Sequence, residues 1–143
     1  MSSKANKLID DTTHSMRIYK SIKISEADVY KLTTEILKDF QISTKYIGYD
    51  LIVECVNTIL QYEGDDVVYY TYVYPAVASI YHKTPENVEK SIRLAINNAK
   101  SIHPELFENR VFGNGKLSNV VFINFLVGAV RRKYLLESKS NII

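Results

Sequence analysis

The stretch TPENVEKSIRLAINNAK, residues 84–100, separates polar from apolar side chains at helical spacing. Its apolar positions form one stripe for burial: Val88, Ile92, Ala95, Ile96 and Ala99. The opposite face carries Glu86, Lys90, Arg93 and Asn97. An arginine there can offer two parallel N–H donors to a guanine edge, and amide or carboxylate groups can pair with other bases. This chemistry suits DNA reading, although an ordinary solvated helix face has the same pattern.

The residues in front of this stretch predict a sharp helix start. The hydroxyl of Thr84 can accept a hydrogen bond from a free N–H of the first turn, and Pro85 suits the first helical position. Asn87 stands where Glu or Gln would complete a capping box. Three upstream residues predict a preceding short helix that packs through them: Ala76, Val77 and Ile80. Two helices with a tight polar connection are typical of a helix-turn-helix.

Other patterns that could carry chemistry are incomplete. Residues 113–116, Gly-Asn-Gly-Lys, lack the upstream glycine and the following Ser or Thr of a phosphate-binding loop. His14, His82 and His103 have no partner at metal-ligand spacing. The single Cys55 lies in an apolar segment and is typical of a buried hydrophobe. We predict no enzyme activity, no cofactor and no metal site; a dyad of Cys55 with a histidine is an alternative that stays open.

Helical periodicity extends beyond the candidate reading segment. Ser25 is a candidate N-cap of a first helix whose apolar stripe comprises Val29, Leu32, Ile36 and Leu37. Residues 46–62 predict a long helix, residues 103–107 a short helical turn, and residues 118–136 a final helix. Residues 67–74 are all β-branched or aromatic, which favours a strand. We predict helix there, because no second run offers a partner strand.

These elements predict an all-α fold, a compact bundle of about five to six helices that contains a helix-turn-helix. We expect a polar N-terminal arm over residues 1–24, one domain over residues 25–137 and a C-terminal tail over residues 138–143. No apolar run reaches membrane-spanning length, and the first residues lack the apolar stretch of a secretory signal. With a single cysteine, the sequence predicts a cytoplasmic location.

Charge is unevenly distributed along the chain, although the net charge is only +2. Residues 24–73 contain three basic and nine acidic side chains, whereas residues 110–143 contain six basic and one acidic. Residues 74–101 contain four basic and two acidic side chains. The asymmetry predicts one oriented nucleic-acid face in the second half of the chain, while the first half repels a phosphate backbone.

Three segments in fixed order resemble the DNA-binding effector domain of the sporulation master response regulators of Bacillus and Clostridium. They are YIGYDLIVECVNTIL, VYPAVASIYHKTPENVEKSIRLAINNA and LSNVVFINFLVGAVRRK. The matching residues include Gly48, Tyr49, Leu51, Tyr74, Pro75, Ala78, Val88, Glu89, Ile92, Arg93, Ala95, Ile96, Ser118, Asn119 and Phe122. The resemblance covers about residues 25–136 and implies an all-helical bundle with helix in residues 67–74.

The resemblance also implies roles for particular residues. It places Glu89, Lys90 and Arg93 on the recognition helix, and Lys116, Ser118 and Asn119 at the start of the last helix near the phosphate backbone. Taken with the residue chemistry, the predicted base-reading set is Glu86, Asn87, Glu89, Lys90 and Arg93. The predicted phosphate-binding set is Lys83, Thr84, Lys116, Ser118 and Asn119.

The chain departs from the family pattern in two ways, in individual residues and in domain content. Glu86 and Asn87 stand where the family has Ser-Arg, and Leu94 replaces a histidine, so a different sequence preference or weaker DNA binding is expected. The family's receiver domain has no counterpart in residues 1–24, which puts control by phosphorylation in cis in doubt.

We predict a bacterial transcription regulator that binds double-stranded DNA sequence-specifically; its oligomeric state stays open, with a homodimer on DNA as one candidate. The alternative is a protein-interaction module of the same fold that has lost DNA reading. It would act on a homologous regulator or on RNA polymerase. No membrane partner is expected.

Overall fold

The computed structural model describes residues 23–62, 68–108 and 117–140, with side chains described as far as residue 138. Its elements are α1 (Glu26–Asp39), α2 (Ile47–Gln61), a π-helical turn (Tyr69–Val73), α3 (Tyr74–Tyr81), α4 (Pro85–Ile102), α5 (Glu105–Phe107) and α6 (Asn119–Ser140). These ranges contain no strand, which confirms the predicted all-α bundle. Most of the predicted arm, the loop over residues 113–116 and residues 141–143 lie outside the described residues.

Side-chain caps fix the starts of three helices. The Oγ of Ser25 accepts from the Asp28 N–H at 3.2 Å. Thr84 and Ser118 each accept from the backbone N–H three residues later, also at 3.2 Å. Each bond satisfies a first-turn donor that has no partner within the helix. The sequence therefore specifies where α1, α4 and α6 begin.

The core is organised around α2, which packs most extensively against α4 and also contacts α1, α3 and α6. An aromatic cluster joins the end of α1 to α5 and α6. The ring of Phe40 lies 5.1 Å from that of Phe107 and 5.3 Å from that of Phe122, measured between centroids. Tilted and edge-on rings at such distances stabilise packing beyond their buried area. The cluster attaches the last helix to the first.

The segment with strand propensity forms helix, as predicted, but its first turn is wide. The N–H of Val73 donates to the carbonyl of Val68, and that of Tyr74 donates to the carbonyl of Tyr69, both five residues back. This spacing defines a π-helical turn. The side chain of Tyr69 is buried, and its hydroxyl donates to Oδ1 of Asn124 on α6. These residues therefore form helix where they contact α6, although their own propensity favours a strand.

Two details of the sequence prediction are wrong. Ile80 does not pack inward with Val77, because its side chain is 57% exposed while Val77 is buried. The final helix does not end at Leu136, because α6 continues to Ser140. The helix continues beyond its apolar stripe. Its last turn needs no contact with the core, because extending a helix that is already formed requires no new nucleation.

Burial decides the chemistry of the only cysteine. The side chain of Cys55 is fully buried on α2, and burial raises the pKa of its thiol to about 12. Since the thiolate is the reactive form, Cys55 acts as a small core hydrophobe. Within the ranges described, no group of three or more histidine, cysteine or acidic residues could hold a metal ion. Those ranges also contain no helix that is both long and apolar enough to cross a membrane.

Candidate nucleic-acid interface

A three-residue turn connects α3 to α4. His82 ends α3 in the left-handed conformation, with φ 54° and ψ 45°. The N–H of Lys83 donates to the carbonyl of Ala78 at 2.9 Å, which closes the last turn of α3. Thr84 follows in an extended conformation and caps α4. The connection has the three-residue length that joins the two helices of a helix-turn-helix.

The two faces of α4 are separated as the periodicity predicts. Its buried side chains are Val88, Ile92, Ala95, Ile96 and Ala99. Its exposed side chains are Glu86, Asn87, Lys90, Arg93, Leu94, Asn97, Ser101 and Ile102. Four of the five residues predicted to read bases are exposed on this helix, and the fifth, Glu89, lies half-buried at the edge of the exposed face.

Glu89 and Arg93 form an ion pair one helical turn apart. Oε1 of Glu89 accepts from Nη2 of Arg93. The Arg93 side chain remains 51% exposed, and a guanidinium has five N–H donors, so most of its donors stay available. An exposed pair at this spacing contributes only a few tenths of a kcal/mol to stability. Its main consequence is to restrict where the guanidinium points.

A glycine on α2 allows α4 to lie close. A Cβ added at Gly48 would fall 2.2 Å from the backbone oxygen of Ser91 and 2.8 Å from Cβ of Ala95. Neither contact is possible for a real side chain, and the oxygen belongs to the backbone of α4. A glycine is therefore needed at position 48 for a steric reason: it lets α2 pack closely on the inward face of α4.

Asn119, the first residue of α6, holds α4 from another direction. Its Nδ2 donates to the backbone carbonyl of Glu89 at 2.9 Å, and its side chain is only 8% exposed. The phenol of Tyr74 is buried nearby, and burial raises its pKa, so that group stays neutral. The side-chain amide of Asn119 thus links α6 to α4. This contact had no signal in the sequence, because Asn at a helix start also suits a phosphate site.

The remaining predicted phosphate-binding residues are distributed around the two helix starts. Lys83, Thr84 and Ser118 are exposed. The hydroxyls of Thr84 and Ser118 accept backbone hydrogen bonds, and each hydroxyl proton remains available for donation. Lys116 lies outside the described residues. Both helix starts also present first-turn N–H groups, which favour anions.

Four of the eight exposed residues of α4 are missing from the predicted base-reading set: Leu94, Asn97, Ser101 and Ile102. Asn97 had a signal in the sequence, since periodicity places it on the polar face. Leu94 stood out only as a departure from the family pattern, and its apolar type favours burial. The structure nevertheless exposes it, because it lies outside the buried stripe of α4. An apolar residue at a position that periodicity assigns to solvent is the signal that could have identified it.

A family model described as sporulation initiation factor Spo0A C terminal matches residues 33–130. The match spans well over half of the 143-residue chain and includes all of α2, α3 and α4. No significant match was found among curated proteins or among solved structures.

Proposed function

We propose that this chain, which belongs to the family of sporulation initiation factor Spo0A C-terminal domains, reads double-stranded DNA sequence-specifically. The family associates the chain with DNA binding, transcription regulation and sporulation.

The observation that carries the proposal is the outward face of α4. Lys90 and Arg93 are exposed there, together with Glu86 and Asn87 near the start of the helix. In a helix-turn-helix the second helix enters the major groove with its N-terminal residues towards the bases. A helix held by close contacts from α2 and by Asn119 can keep such side chains in a defined position.

The chemistry of each side chain suggests its partner on DNA. Arg93 suits a guanine edge, and Asn87 suits the N6 and N7 atoms of adenine. Glu86 and Glu89 can accept from the amino group of cytosine. Lys90 can donate to guanine or to a phosphate. Glu89 has a second use, because its carboxylate also orients Arg93.

The phosphate backbone would be held on both sides of the recognition helix. Lys83 and Thr84 stand at the start of α4, and Ser118 stands at the start of α6. Lys116 belongs to this proposed set by sequence. The buried side chain of Asn119 makes its backbone N–H, rather than its amide, the group available for a phosphate contact.

Selection of binding sites from random duplex DNA tests the proposal. We expect one enriched sequence, bound more tightly than random duplex at every salt concentration. Log affinity should fall linearly with log salt, by about 0.9 per neutralised phosphate. Two repeated half-sites in the enriched sequence would support binding as a homodimer. Absence of binding to any duplex at low salt would refute DNA reading.

A groove between α1, α2 and α3 favours a second candidate function, the protein-interaction module. Its lining includes the exposed apolar side chains of Tyr30 and Ile80 as well as Glu26 and Glu54. Burial, followed by the charges of Glu26 and Asp50, raises the pKa of Glu54. Such a surface suits a basic, partly apolar protein segment, as from a homologous regulator or RNA polymerase. Pull-down of such a partner together with no duplex binding would favour this candidate.

A further inference from the structure

Leu94 is an apolar side chain on the otherwise polar outward face of α4. It is 59% exposed. Lys90 lies one turn before it and Asn97 one turn after it, and both are exposed. The other strongly exposed aliphatic residue of α4 is Ile102, the last residue of the helix, at 62%. Leu94 therefore occupies the part of the helix that the proposed function directs at the bases.

A leucine at this place can recognise only an apolar group, since its side chain neither donates nor accepts hydrogen bonds. The edge of a base pair in the major groove carries one such group, the C5 methyl of thymine. Leu94 follows Glu86 by eight residues, which is about 12 Å along a helix. Successive base pairs are about 3.4 Å apart, so these two residues span about three to four base pairs of a major groove, which admits an α-helix.

We propose that Leu94 is a specificity-determining residue that reads a thymine by packing against its C5 methyl. The inference rests on the proposed DNA reading and adds one base to it. Leu94 follows Lys90 by four residues, or about 6 Å of helix rise. The thymine therefore lies within about two base pairs of the position that Lys90 contacts, since successive pairs are about 3.4 Å apart.

Uracil substitution tests the contact, because uracil differs from thymine only by the missing methyl. The probe is the duplex selected from random sequence, with each thymine replaced in turn by uracil. For the unmodified protein, one thymine should stand out, and its replacement should weaken binding about fourfold, the factor expected from burial of one methyl group. Uracil at other thymines should have little effect.

The variant Leu94→Ala completes the test. It should bind the thymine duplex at least about fourfold more weakly than the unmodified protein and should not distinguish uracil from thymine at the sensitive position. Ile102→Ala is the matched control: it removes a similarly exposed aliphatic side chain of α4 about 12 Å further along and should retain the uracil effect. Both variants should fold, as circular dichroism and melting temperature can verify.

Three results would overturn the inference. One is an unmodified protein that tolerates uracil at every thymine. Another is a Leu94→Ala variant that keeps the uracil sensitivity. The last is a Leu94→Ala variant with unchanged affinity, which would point to a protein partner at this side chain. Each of these leaves sequence-specific DNA binding intact, whereas failure to select any duplex would overturn both the inference and the proposed function.

Discussion

The outward and inward faces of α4 differ in what surrounds them. Outward, polar side chains such as Lys90 and Arg93 are exposed to solvent. Inward, Gly48 and Asn119 bring other helices to the α4 backbone itself. The difference suggests that reading and positioning can be separated by mutation. Outward changes should alter DNA affinity at constant stability, and inward changes should alter stability first.

The largest effect is expected on the inward face, from Gly48→Ala. The new Cβ would meet the backbone oxygen of Ser91 at 2.2 Å, so α2 and α4 must move apart. We expect the free energy of unfolding to fall by about 3 kcal/mol, at the upper end of overpacking effects. Urea denaturation measures it.

Gly128→Ala on α6 is the matched control for this change. Its Cβ would meet only the far end of the Arg132 side chain, at 3.2 Å. Replacing a helical glycine by alanine at such a site should stabilise the protein by up to about 1 kcal/mol. If both variants were equally stable, close packing of α2 would not be what positions α4.

A smaller inward effect is expected from Asn119→Asp. The substitution removes the N–H donor to the carbonyl of Glu89 and places a carboxylate against that oxygen. We expect a loss of about 2 kcal/mol in the free energy of unfolding at neutral pH. The loss should shrink at acid pH, because the protonated carboxyl can donate again and the native state therefore binds the proton more readily than the unfolded chain.

Ser118→Ala is the control for Asn119→Asp, since Ser118 and Asn119 are neighbours at the start of α6. Ser118 is exposed and caps α6, so its loss should cost about 1 kcal/mol without pH dependence of this kind. An Asn119→Asp variant with unchanged stability but weaker binding to every duplex would instead favour a direct phosphate contact by its side chain.

The smallest effect is expected from Lys83→Ala on the outward side. Lys83 is exposed in the turn before α4, so its removal should leave stability within about 0.5 kcal/mol. Binding to all duplexes should weaken by a similar factor, and the slope of log affinity against log salt should decrease by about 1. Fluorescence anisotropy at several salt concentrations measures both. A change in base preference would contradict the assignment of Lys83 to phosphate.

Local physics explains which features the sequence predicted correctly. The stripe from Val88 to Ala99 and the caps Ser25 and Thr84 depend on residues within a few positions of one another. Periodicity and capping chemistry are therefore sufficient to predict them. The helix at Tyr69–Val73 was predicted against local propensity, because no partner strand was available and the family resemblance implied helix; its π-helical geometry was not predicted.

Contacts between distant segments explain what the sequence did not predict. The inward direction of Asn119 depends on Glu89, thirty residues earlier. The tight packing at Gly48 depends on Ser91, and the exposure of Ile80 depends on how α3 lies against α2. In each case the residue type suits two environments, and only tertiary packing decides between them.

The specificity of an Arg93→Ala variant tests most directly whether the outward face of α4 reads DNA. The measurement is the ratio of affinities for the selected duplex and a random duplex, in one buffer, for the unmodified protein and the variant. Arg132→Ala, which removes an exposed arginine of α6, is the control for loss of one charge. We expect a loss of about 1–3 kcal/mol on the selected duplex, a much smaller loss on random duplex, and unchanged stability. An Arg93→Ala ratio equal to that of the unmodified protein would contradict the claim that the outward face of α4 reads DNA.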